Sequence, residues 1–258
     1  MLDIKKNHSL KEHNNFLFEY SAEYFCEVNS IEEGHEFIEF CLKKKLPLKI
    51  LGEGTNVVLT KNIKGALLKV SIPGKKILNE DVIIGAGENW NDVVLWSLKK
   101  ELFGLENLTL IPGSVGAAPV QNIGAYGEEI SSKIKSLEVI NLKTNELISL
   151  KNSDCKFRYR DSIFKKENNF LISTIKLNLS KNLNTNTSYN SLNSFLIKDD
   201  IDPDNATPYQ VCRAVNSIRT KILPDYKDEP NVGSFFKNLL LDKKTFIKLN
   251  SKIRHIFI

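Results

Sequence analysis

The spacing of apolar residues predicts a helix and then a strand near the start of the chain. Ser30 followed by Glu33 has the pattern of a capping box, which is typical of a helix start. Apolar residues then repeat at helical spacing up to about residue 46: Phe37, Ile38, Cys41 and Leu42. Pro47 ends the helix, and the segment PLKILG predicts a short strand. This order predicts a small α/β lobe over residues 1–66.

Short apolar runs separated by turn residues dominate the middle of the chain and predict strands. The runs are LLKVSI, VIIGAG, SLEVINL, ELISL and FLISTIKLNL. One predicted helix interrupts them, from about residue 91 to 102, with an apolar side formed by Val94, Leu95, Leu98 and Leu102. We therefore expect an α+β central domain over residues 67–205, built on a mixed or antiparallel sheet.

The last part of the chain predicts a loop, a helix and an unfinished domain. The asparagine-rich segment 181–195 is typical of a surface loop or linker. Thr207 and Pro208 then have the pattern of a helix start. Apolar residues follow at helical spacing as far as Pro224: Val211, Ala214, Val215, Ile218 and Ile222. Residues 206–258 are expected to begin a third domain and to be too few to complete it.

The overall composition narrows the possible functions. The chain has 258 residues, of which 41% are hydrophobic, and a formal net charge of +5. The lysines are scattered, so nucleic-acid binding is not indicated, and a small anionic molecule is a suitable partner. The chain contains no run of 18 apolar residues, and no apolar segment follows the lysines near its N-terminus. We therefore expect a cytoplasmic protein without a membrane span.

The four cysteines are far apart and form no CxxC pair: Cys26, Cys41, Cys155 and Cys212. This arrangement indicates neither a metal site nor a disulfide framework. We expect reduced thiols with a structural role.

Two glycine-bearing segments are candidates for ligand binding. In LGEGTNVVL, Gly52 and Gly54 permit a tight turn whose N–H groups can surround a phosphate. The same pattern also fits a tight turn without a ligand, and Val57 stands where a Rossmann fingerprint needs its third glycine. The second segment, IPGSVGAAPVQNIGAYG, lies in a stretch without charge from residue 107 to 127. It predicts backbone that lies against a large flat group, or else an ordinary buried loop.

Five motifs occur in order along the chain: LGEGTNVVL, GAGENWNDVV, GLENLTLIPGSVGAAPVQNIGAYG, YRDSIFK and GSFFKN. Together they resemble the motifs of the UDP-N-acetylenolpyruvoylglucosamine reductase family. The members of this family are flavoenzymes of peptidoglycan precursor synthesis. The resemblance covers nearly the whole chain, from NHSLKEHN onward. It implies a monomeric protein with an FAD-binding domain of the vanillyl-alcohol-oxidase type and no metal.

The resemblance implies that both glycine segments hold FAD. By match, FAD contacts are expected from Gly52, Gly54, Thr55, Asn56, Ile111, Gly113, Ser114, Gly116, Gln121, Asn122 and Gly124. In the implied reaction, NADPH reduces FAD, and the reduced flavin gives hydride to C3 of the enolpyruvyl group of a UDP-sugar. A proton is then added at C2, which gives UDP-N-acetylmuramate.

Two residues match catalytic positions of the family. Arg160 matches the arginine that stabilises the developing enolate charge, and its alternative reading is a structural ion pair with Asp161. Ser234 matches the serine that donates the proton, and its alternative reading is a serine in a glycine turn. The expected substrate contacts are Tyr126, Tyr189, Arg219, Lys221 and Asn238. For Tyr189 the flanking match is thin, and an ordinary loop tyrosine is the alternative.

The tail KLNSKIRHIFI contains no acidic residue, so the glutamate that the family uses beside its arginine has no counterpart here. We therefore expect a C-terminally truncated member whose Phe235 and Phe236 are uncovered. Three hypotheses follow: an active or impaired reductase, a non-enzymatic FAD-binding remnant, and a related flavin oxidase. The oxidase is disfavoured because no histidine or cysteine motif for covalent flavin attachment is present.

Overall fold

The computed structural model describes residues 2–225, 228–234, 236–238 and 241–253. The fold belongs to the predicted α+β class. Its strands are β1 Lys5–Ser9, β2 Ser21–Val28, β3 Leu48–Leu51, β4 Ile63–Val70, β5 Lys75–Leu78, β6 Asp81–Gly85, β7 Gly124–Ala125, β8 Glu128–Glu129, β9 Ile134–Asn141, β10 Leu147–Lys151 and β11 Phe170–Asn178. Its helices are α1 Ile31–Lys44, α2 Trp90–Lys99, α3 Ile163–Glu167, α4 Asn190–Lys198, α5 Pro208–Ile222 and α6 Lys243–Ile253. No helix in the described ranges is long and apolar enough to cross a membrane.

The N-terminal sheet has the strand order β1-β2-β4-β3, and β4 pairs in parallel with both β2 and β3. The predicted Ser30 N-cap begins α1, because the Glu33 N–H donates to Ser30 Oγ at 3.2 Å; the Glu33 carboxylate accepts from the Asn29 N–H at 2.6 Å rather than from that of Ser30, so the full capping box was not correct. The predicted helix and the strand after it are both confirmed. Strand β1 was not predicted, because its sequence KKNHS is almost entirely polar and exposed.

The central sheet is antiparallel throughout, with the strand order β10-β9-β11-β6-β5. It confirms four of the five predicted strands, as β6, β9, β10 and β11, and the antiparallel alternative, whereas the fifth predicted run, LLKVSI, forms part of β4 in the N-terminal sheet and β5 was not predicted. Asn89 caps α2 by accepting a hydrogen bond from the Asp92 N–H at 3.1 Å. The predicted apolar side of this helix was wrong at Leu95, which is 38% exposed because Trp90 and Val93 face the core instead.

One hydrophobic core joins the two sheets. Leu68 of β4 and Val139 of β9 belong to the same cluster of buried residues. Helix α1 lies against the central sheet so closely that a Cβ on Gly34 would be 3.2 Å from Ile140 Cδ1. The predicted boundary between residues 66 and 67 falls inside β4, and the proposed division into domains stays a prediction.

Helices α4 and α5 pack together through a second, smaller core. The loop predicted for residues 181–195 is wrong from residue 190 onward, because Leu192 and Leu196 are buried at helical spacing in α4. Helix α5 begins with a capping box in which Gln210 Oε1 accepts from the Thr207 N–H at 2.8 Å.

The predicted apolar face of α5 is correct except at its last position. Val211, Ala214, Val215 and Ile218 are buried, whereas Ile222 is 70% exposed at the end of the helix. Phe236 is 84% exposed, as expected, and Phe235 lies outside the described residues.

All four cysteines are buried and free, as predicted. Burial raises the pKa of Cys26 and of Cys155 to about 12 and that of Cys41 to about 11. These thiols therefore stay protonated at neutral pH and contribute to packing rather than to nucleophilic chemistry.

Candidate active site

Two joined clefts are lined by the glycine segments and the residues around them. The first has a volume of about 720 Å³ and is lined by both sheets, by residues 47–57 and by most residues between 111 and 123. The second has a volume of about 980 Å³ and is lined by residues 124–129, by α5 and by residues 232–234 and 236–238. The clefts share seven lining residues: Thr55, Asn56, Ile111, Pro112, Gln121, Ile123 and Lys165. A ligand in one cleft therefore adjoins a ligand in the other.

The loop of residues 52–56 lines the first cleft and carries five main-chain N–H groups. Within the described residues, none of these N–H groups donates a hydrogen bond. Gly54 has a φ of +73°, in the left-handed region, and its carbonyl oxygen accepts from the Asn15 N–H at 3.3 Å. Consecutive free N–H groups on a tight turn form a binding site for an anion.

The segment around Ser114 is held along one edge by main-chain hydrogen bonds. The N–H groups of Val115 and Gly116 donate to the carbonyl oxygens of Glu88 and Ala86 at 2.9 and 2.8 Å. Glycine is required at 116, because a Cβ there would lie 2.7 Å from the Ala86 Cβ. Ser114 Oγ is buried and has no partner among the described residues, which leaves it available to a ligand in the first cleft.

Most of the residues predicted to contact FAD line the clefts. Those in the first cleft are Gly52, Gly54, Thr55, Asn56, Ile111, Ser114, Gly116 and Gln121, and Gly124 lines the second. Gly113 lines neither cleft, and its carbonyl oxygen accepts from the Trp90 N–H at 2.9 Å. Asn122 is buried, and its side chain bonds Glu129, the Arg158 carbonyl and the Ser131 N–H at 2.7, 3.1 and 3.1 Å. Its amide group therefore acts within the protein.

Glu53 lines the first cleft, and the pKa of its carboxyl is raised. Burial raises the pKa of the Glu53 carboxyl, although hydrogen bonds from Asn89 Nδ2 at 3.1 and 3.4 Å oppose this shift. A carboxyl with a raised pKa repels an anionic ligand less than an ordinary glutamate does.

Arg160 lines the second cleft and is fixed from three sides. Its Nη1 donates to the Asn122 carbonyl at 3.2 Å and lies 3.5 Å from Glu129 Oε1, and its Nη2 donates to the Gly124 carbonyl. The guanidinium also lies over the Tyr159 ring, with Cζ 5.0 Å from the centroid. The expected alternative partner, Asp161, instead pairs with Lys166 at 2.9 Å.

The turn that carries Arg160 is held in an unusual conformation. Arg158 and Asp161 exchange two main-chain hydrogen bonds, at 3.0 and 3.1 Å, across the pair Tyr159 and Arg160. Arg160 has a φ of +51°, in the left-handed region that costs about 1–2 kcal/mol for a residue with a side chain. Such strain often occurs at functional sites.

Tyr126, Tyr189 and Arg219 form one wall of the second cleft. The two tyrosine rings meet edge to face with centroids 5.5 Å apart. Burial raises the pKa of Tyr126 and lowers that of Arg219. Arg219 Nη2 donates to the Leu110 carbonyl at 3.2 Å, and its Nε is buried without a partner among the described residues. This N–H group remains free for a polar atom of a ligand.

The remaining predicted residues differ in their relation to the cleft. Ser234 and Asn238 line the second cleft, and both are exposed. Lys221 does not line it, and its ammonium lies 5.8 Å from the centre of the Phe195 ring. The structure therefore brings Arg160 and Ser234 to the same cleft and leaves Lys221 outside the lining.

Three further residues of the site were not predicted from the sequence. Asn107 is buried and donates to the carbonyl oxygens of Tyr126 and Asn186 at 2.8 and 2.7 Å, which fixes the loop before Tyr189 against the cleft wall. Glu129 lines the second cleft, and Lys165 lines both. In the sequence, the only indication of a role for these residues is their position: Asn107 and Lys165 lie inside recognised motifs, and Glu129 lies just after one.

Comparison with known sequences places the chain among flavoproteins. Residues 22–151 match the family described as FAD binding domain. UDP-N-acetylenolpyruvoylglucosamine reductase of Flavobacterium johnsoniae is 42% identical over 261 residues, which cover 97% of this chain and 76% of the relative. The protein of the same name from Polynucleobacter asymbioticus is 42% identical over 244 residues, covering 91% of this chain and 69% of the relative.

Solved structures show the same fold. UDP-N-acetylenolpyruvylglucosamine reductase from Thermus caldophilus superposes with a TM-score of 0.68 at 18% identity, covering 97% of this chain and 80% of that chain. The 6-hydroxy-D-nicotine oxidase from Arthrobacter nicotinovorans has a TM-score of 0.55 at 15% identity, and the match covers 69% of this chain and 42% of the oxidase. The fold and the clefts thus define an FAD-dependent oxidoreductase with a binding domain of the vanillyl-alcohol-oxidase type. Within this class, the chain belongs to the UDP-N-acetylenolpyruvoylglucosamine reductase family.

Proposed function

We propose that this chain reduces UDP-N-acetylenolpyruvoylglucosamine to UDP-N-acetylmuramate, with NADPH as the electron source and FAD as the cofactor. The observation that carries the proposal is that Arg160 and Ser234 both line the second cleft, and that this cleft joins the first cleft, whose residues suit a flavin. The reaction would serve peptidoglycan precursor synthesis. The cytoplasmic location and the monomeric state stay predictions.

The residues of the first cleft fit FAD. The free N–H groups of residues 52–56 suit its pyrophosphate, and Ser114 Oγ supplies a buried hydroxyl without another partner. Aliphatic side chains such as Ile50 and Ile172 suit a flat ring system. When bound there, FAD supplies the hydride chemistry that protein side chains lack.

Arg160 is the residue that we propose for charge stabilisation. Negative charge develops on the carboxylate side of the enolpyruvyl group when hydride arrives at its C3. A guanidinium already fixed by two carbonyl oxygens and by Glu129 needs little reorganisation to stabilise that charge. Nε and one N–H of Nη2 have no other partner among the described residues, so they can bind the two carboxylate oxygens.

Ser234 is the proposed donor of the proton to C2. A serine hydroxyl is a weak acid, but it can protonate a strongly basic carbon when it is held within hydrogen-bond reach. Ser234 follows Gly233, whose φ of +70° turns the backbone at the edge of the second cleft. The exposed hydroxyl can recover its proton from solvent.

Arg219, Tyr126 and Tyr189 are proposed to hold the nucleotide part of the substrate. Burial lowers the pKa of Arg219, which still leaves a cation at neutral pH because arginine starts from a very high value. A partly desolvated cation binds a diphosphate more strongly than an exposed one does. The two tyrosine rings offer an apolar wall with hydroxyl groups at its edge.

Anaerobic stopped-flow absorbance of the chain reconstituted with FAD tests the proposal. NADPH is added first, and the enolpyruvyl sugar nucleotide is added after the flavin band has bleached. Bleaching followed by reoxidation on addition of the sugar nucleotide is the expected result. Bleaching without reoxidation would identify a flavin-binding remnant, and a chain that does not bind FAD would contradict the assignment of the first cleft.

A further inference from the structure

The side chains of Asn122, Glu129 and Arg160 form a chain of polar contacts at the wall of the second cleft. Asn122 Nδ2 donates to Glu129 Oε2 at 2.7 Å, and Glu129 Oε1 lies 3.5 Å from Arg160 Nη1. Each carboxylate oxygen of Glu129 thus has its own partner. We propose that Glu129 is a positioning residue that holds the guanidinium of Arg160 in place for the substrate carboxylate. The inference rests on the function proposed above.

The inner end of this chain is rigid. Asn122 is fully buried, and it also donates to the Arg158 carbonyl at 3.1 Å and accepts from the Ser131 N–H at 3.1 Å. Its side chain therefore cannot rotate without breaking hydrogen bonds in a buried place, which is costly. Because Glu129 is attached to this fixed amide, its own carboxylate has a defined position.

The outer end is set by a short hairpin. Gly124 of β7 pairs with Glu129 of β8, and Arg160 reaches across this pair to the Gly124 carbonyl. A Cβ on Gly124 would lie 2.6 Å from Arg160 Nη1 and 3.0 Å from Glu129 Cγ. The hairpin is therefore shaped to admit the guanidinium and the carboxylate side by side.

The Glu129 carboxylate holds the Arg160 side chain in its rotamer more strongly than the neutral carbonyl oxygens can. The Arg160 side chain is 26% exposed, so an alternative rotamer could place its charge in solvent. A charge-assisted contact favours the rotamer in the cleft more strongly than neutral carbonyl acceptors do. Holding the guanidinium in this orientation before the substrate arrives reduces the reorganisation needed during reaction.

The test combines Glu129→Gln with Arg160→Lys in a double-mutant cycle on the FAD-loaded protein. A glutamine can accept from Asn122 or from Arg160, but it then turns its own NH₂ group toward the other donor. We expect Glu129→Gln to slow reoxidation by the enolpyruvyl sugar nucleotide about tenfold to hundredfold, as displacement of a reacting group by about 1 Å does. The double variant should be no slower than Arg160→Lys alone, because Glu129 acts through Arg160.

Two readouts separate positioning from a general structural role. FAD affinity and the rate of flavin reduction by NADPH should stay at the wild-type values in Glu129→Gln. The Kd of the oxidised protein for the sugar nucleotide, measured by calorimetry, should rise and should show the same lack of additivity. Asp161→Asn is the matched control, because it removes a carboxylate from the same turn that pairs with Lys166 and not with Arg160.

The outcomes are distinguishable. Wild-type behaviour of Glu129→Gln, additive losses in the double variant, or equal losses in both half-reactions would each overturn the positioning role. A wild-type chain that neither binds the sugar nucleotide nor is reoxidised by it would overturn the proposed function and this inference with it. If Glu129→Gln does not fold, Glu129→Asp replaces it, and reoxidation at the rate of Asp161→Asn would again overturn the inference.

Discussion

The carbonyl oxygen of His13 occupies the space where a side chain on Gly54 would begin. A Cβ on Gly54 would lie 2.0 Å from this oxygen, and the Asn15 N–H donates to the Gly54 carbonyl at 3.3 Å. The N-terminal segment therefore packs directly against the loop of residues 52–56 that lines the first cleft. Residues outside the recognised glycine motif thus determine the shape of that loop.

Gly54→Ala should lower both stability and FAD affinity, and Gly74→Ala is its control. Both glycines have positive φ, +73° and +131°, but a Cβ on Gly74 would meet nothing within 4 Å. Conformational strain alone should cost about 1–3 kcal/mol at Gly74. At Gly54 the clash with main chain adds to it, and FAD should bind at least about tenfold more weakly. Urea unfolding and FAD titration check this, and equal losses at the two positions would contradict it.

Ser114→Ala should have opposite effects on the free protein and on FAD binding. Its buried hydroxyl has no partner among the described residues, and an unsatisfied buried polar group costs about 1–3 kcal/mol. Removing it should leave the FAD-free protein as stable or make it more stable, while FAD affinity falls about tenfold. Thermal unfolding without FAD and FAD titration measure the two effects.

Ser162→Ala is the matched control for this substitution. Ser162 is equally buried, but its Oγ donates to the Val120 carbonyl at 2.7 Å. Loss of this satisfied hydrogen bond should destabilise the free protein by about 1 kcal/mol. A destabilised Ser114→Ala protein with unchanged FAD affinity would show that the Ser114 hydroxyl has no ligand role.

Elements with apolar residues at a regular helical or alternating spacing were predicted correctly from the sequence. Elements in which polar residues obscure that spacing were not predicted. Helix α1 and the central strands β6, β9, β10 and β11 have apolar residues at helical or alternating spacing. The sequence of α4 resembles a loop because asparagines and serines surround its two buried leucines. Strand β1 forms because its main chain pairs with β2, which side-chain composition does not reveal.

Residues of the candidate site that lie inside the recognised motifs could be predicted from the sequence, whereas their contacts with one another could not. The glycine segments and Arg160 were recognised, but the only ion-pair partner considered for Arg160, as the alternative to a catalytic role, was Asp161, whereas the structure pairs Arg160 with Glu129. The hairpin of β7 and β8 carries Glu129, and its contact with Arg160 is a tertiary contact that spacing along the chain does not encode. For the same reason, the free Nε of Arg219 could be found only in the folded structure.

Arg219→Met should weaken binding of the sugar nucleotide without destabilising the free protein. Burial lowers the pKa of Arg219, which means that the folded protein disfavours its charge. Replacement of a buried charge by an apolar side chain of similar length is often neutral or stabilising. The affinity for the sugar nucleotide should nevertheless fall about tenfold or more, because the contact between a desolvated cation and the diphosphate is lost.

Calorimetric titrations at low and high salt measure the effect of this substitution, and Arg213→Met is the control. Arg213 lies on the same helix, but it is exposed and pairs with Asp199 at 2.6 Å. The Arg213 variant should bind as the wild type does, since surface ion pairs contribute little. Equal weakening in both variants would mean that the net charge of α5, and not Arg219 itself, attracts the nucleotide.

The two histidines next to the Gly54 loop should make the protein less stable below neutral pH. His8 Nε2 and His13 Nε2 are 3.2 Å apart, and both rings stack on Phe25. Burial lowers the pKa of both, with Lys5 adding to the effect at His8 and Lys69 and His8 adding to it at His13. Asp3 near His8 and the carboxylates of Glu27 and Glu12 near His13 oppose the shift only in part.

The sign of this effect follows from the lowered pKa values. The unfolded chain binds protons at these histidines near pH 6.5, whereas the folded chain binds them only at lower pH. The stabilisation is therefore complete above about pH 6.5 and is lost as the pH falls through the folded-state values. The double variant His8→Gln with His13→Gln should lose less free energy of unfolding between about pH 7 and 5 than the wild type does. Urea unfolding at several pH values measures both slopes, and equal slopes would mean that these histidines do not couple protonation to folding.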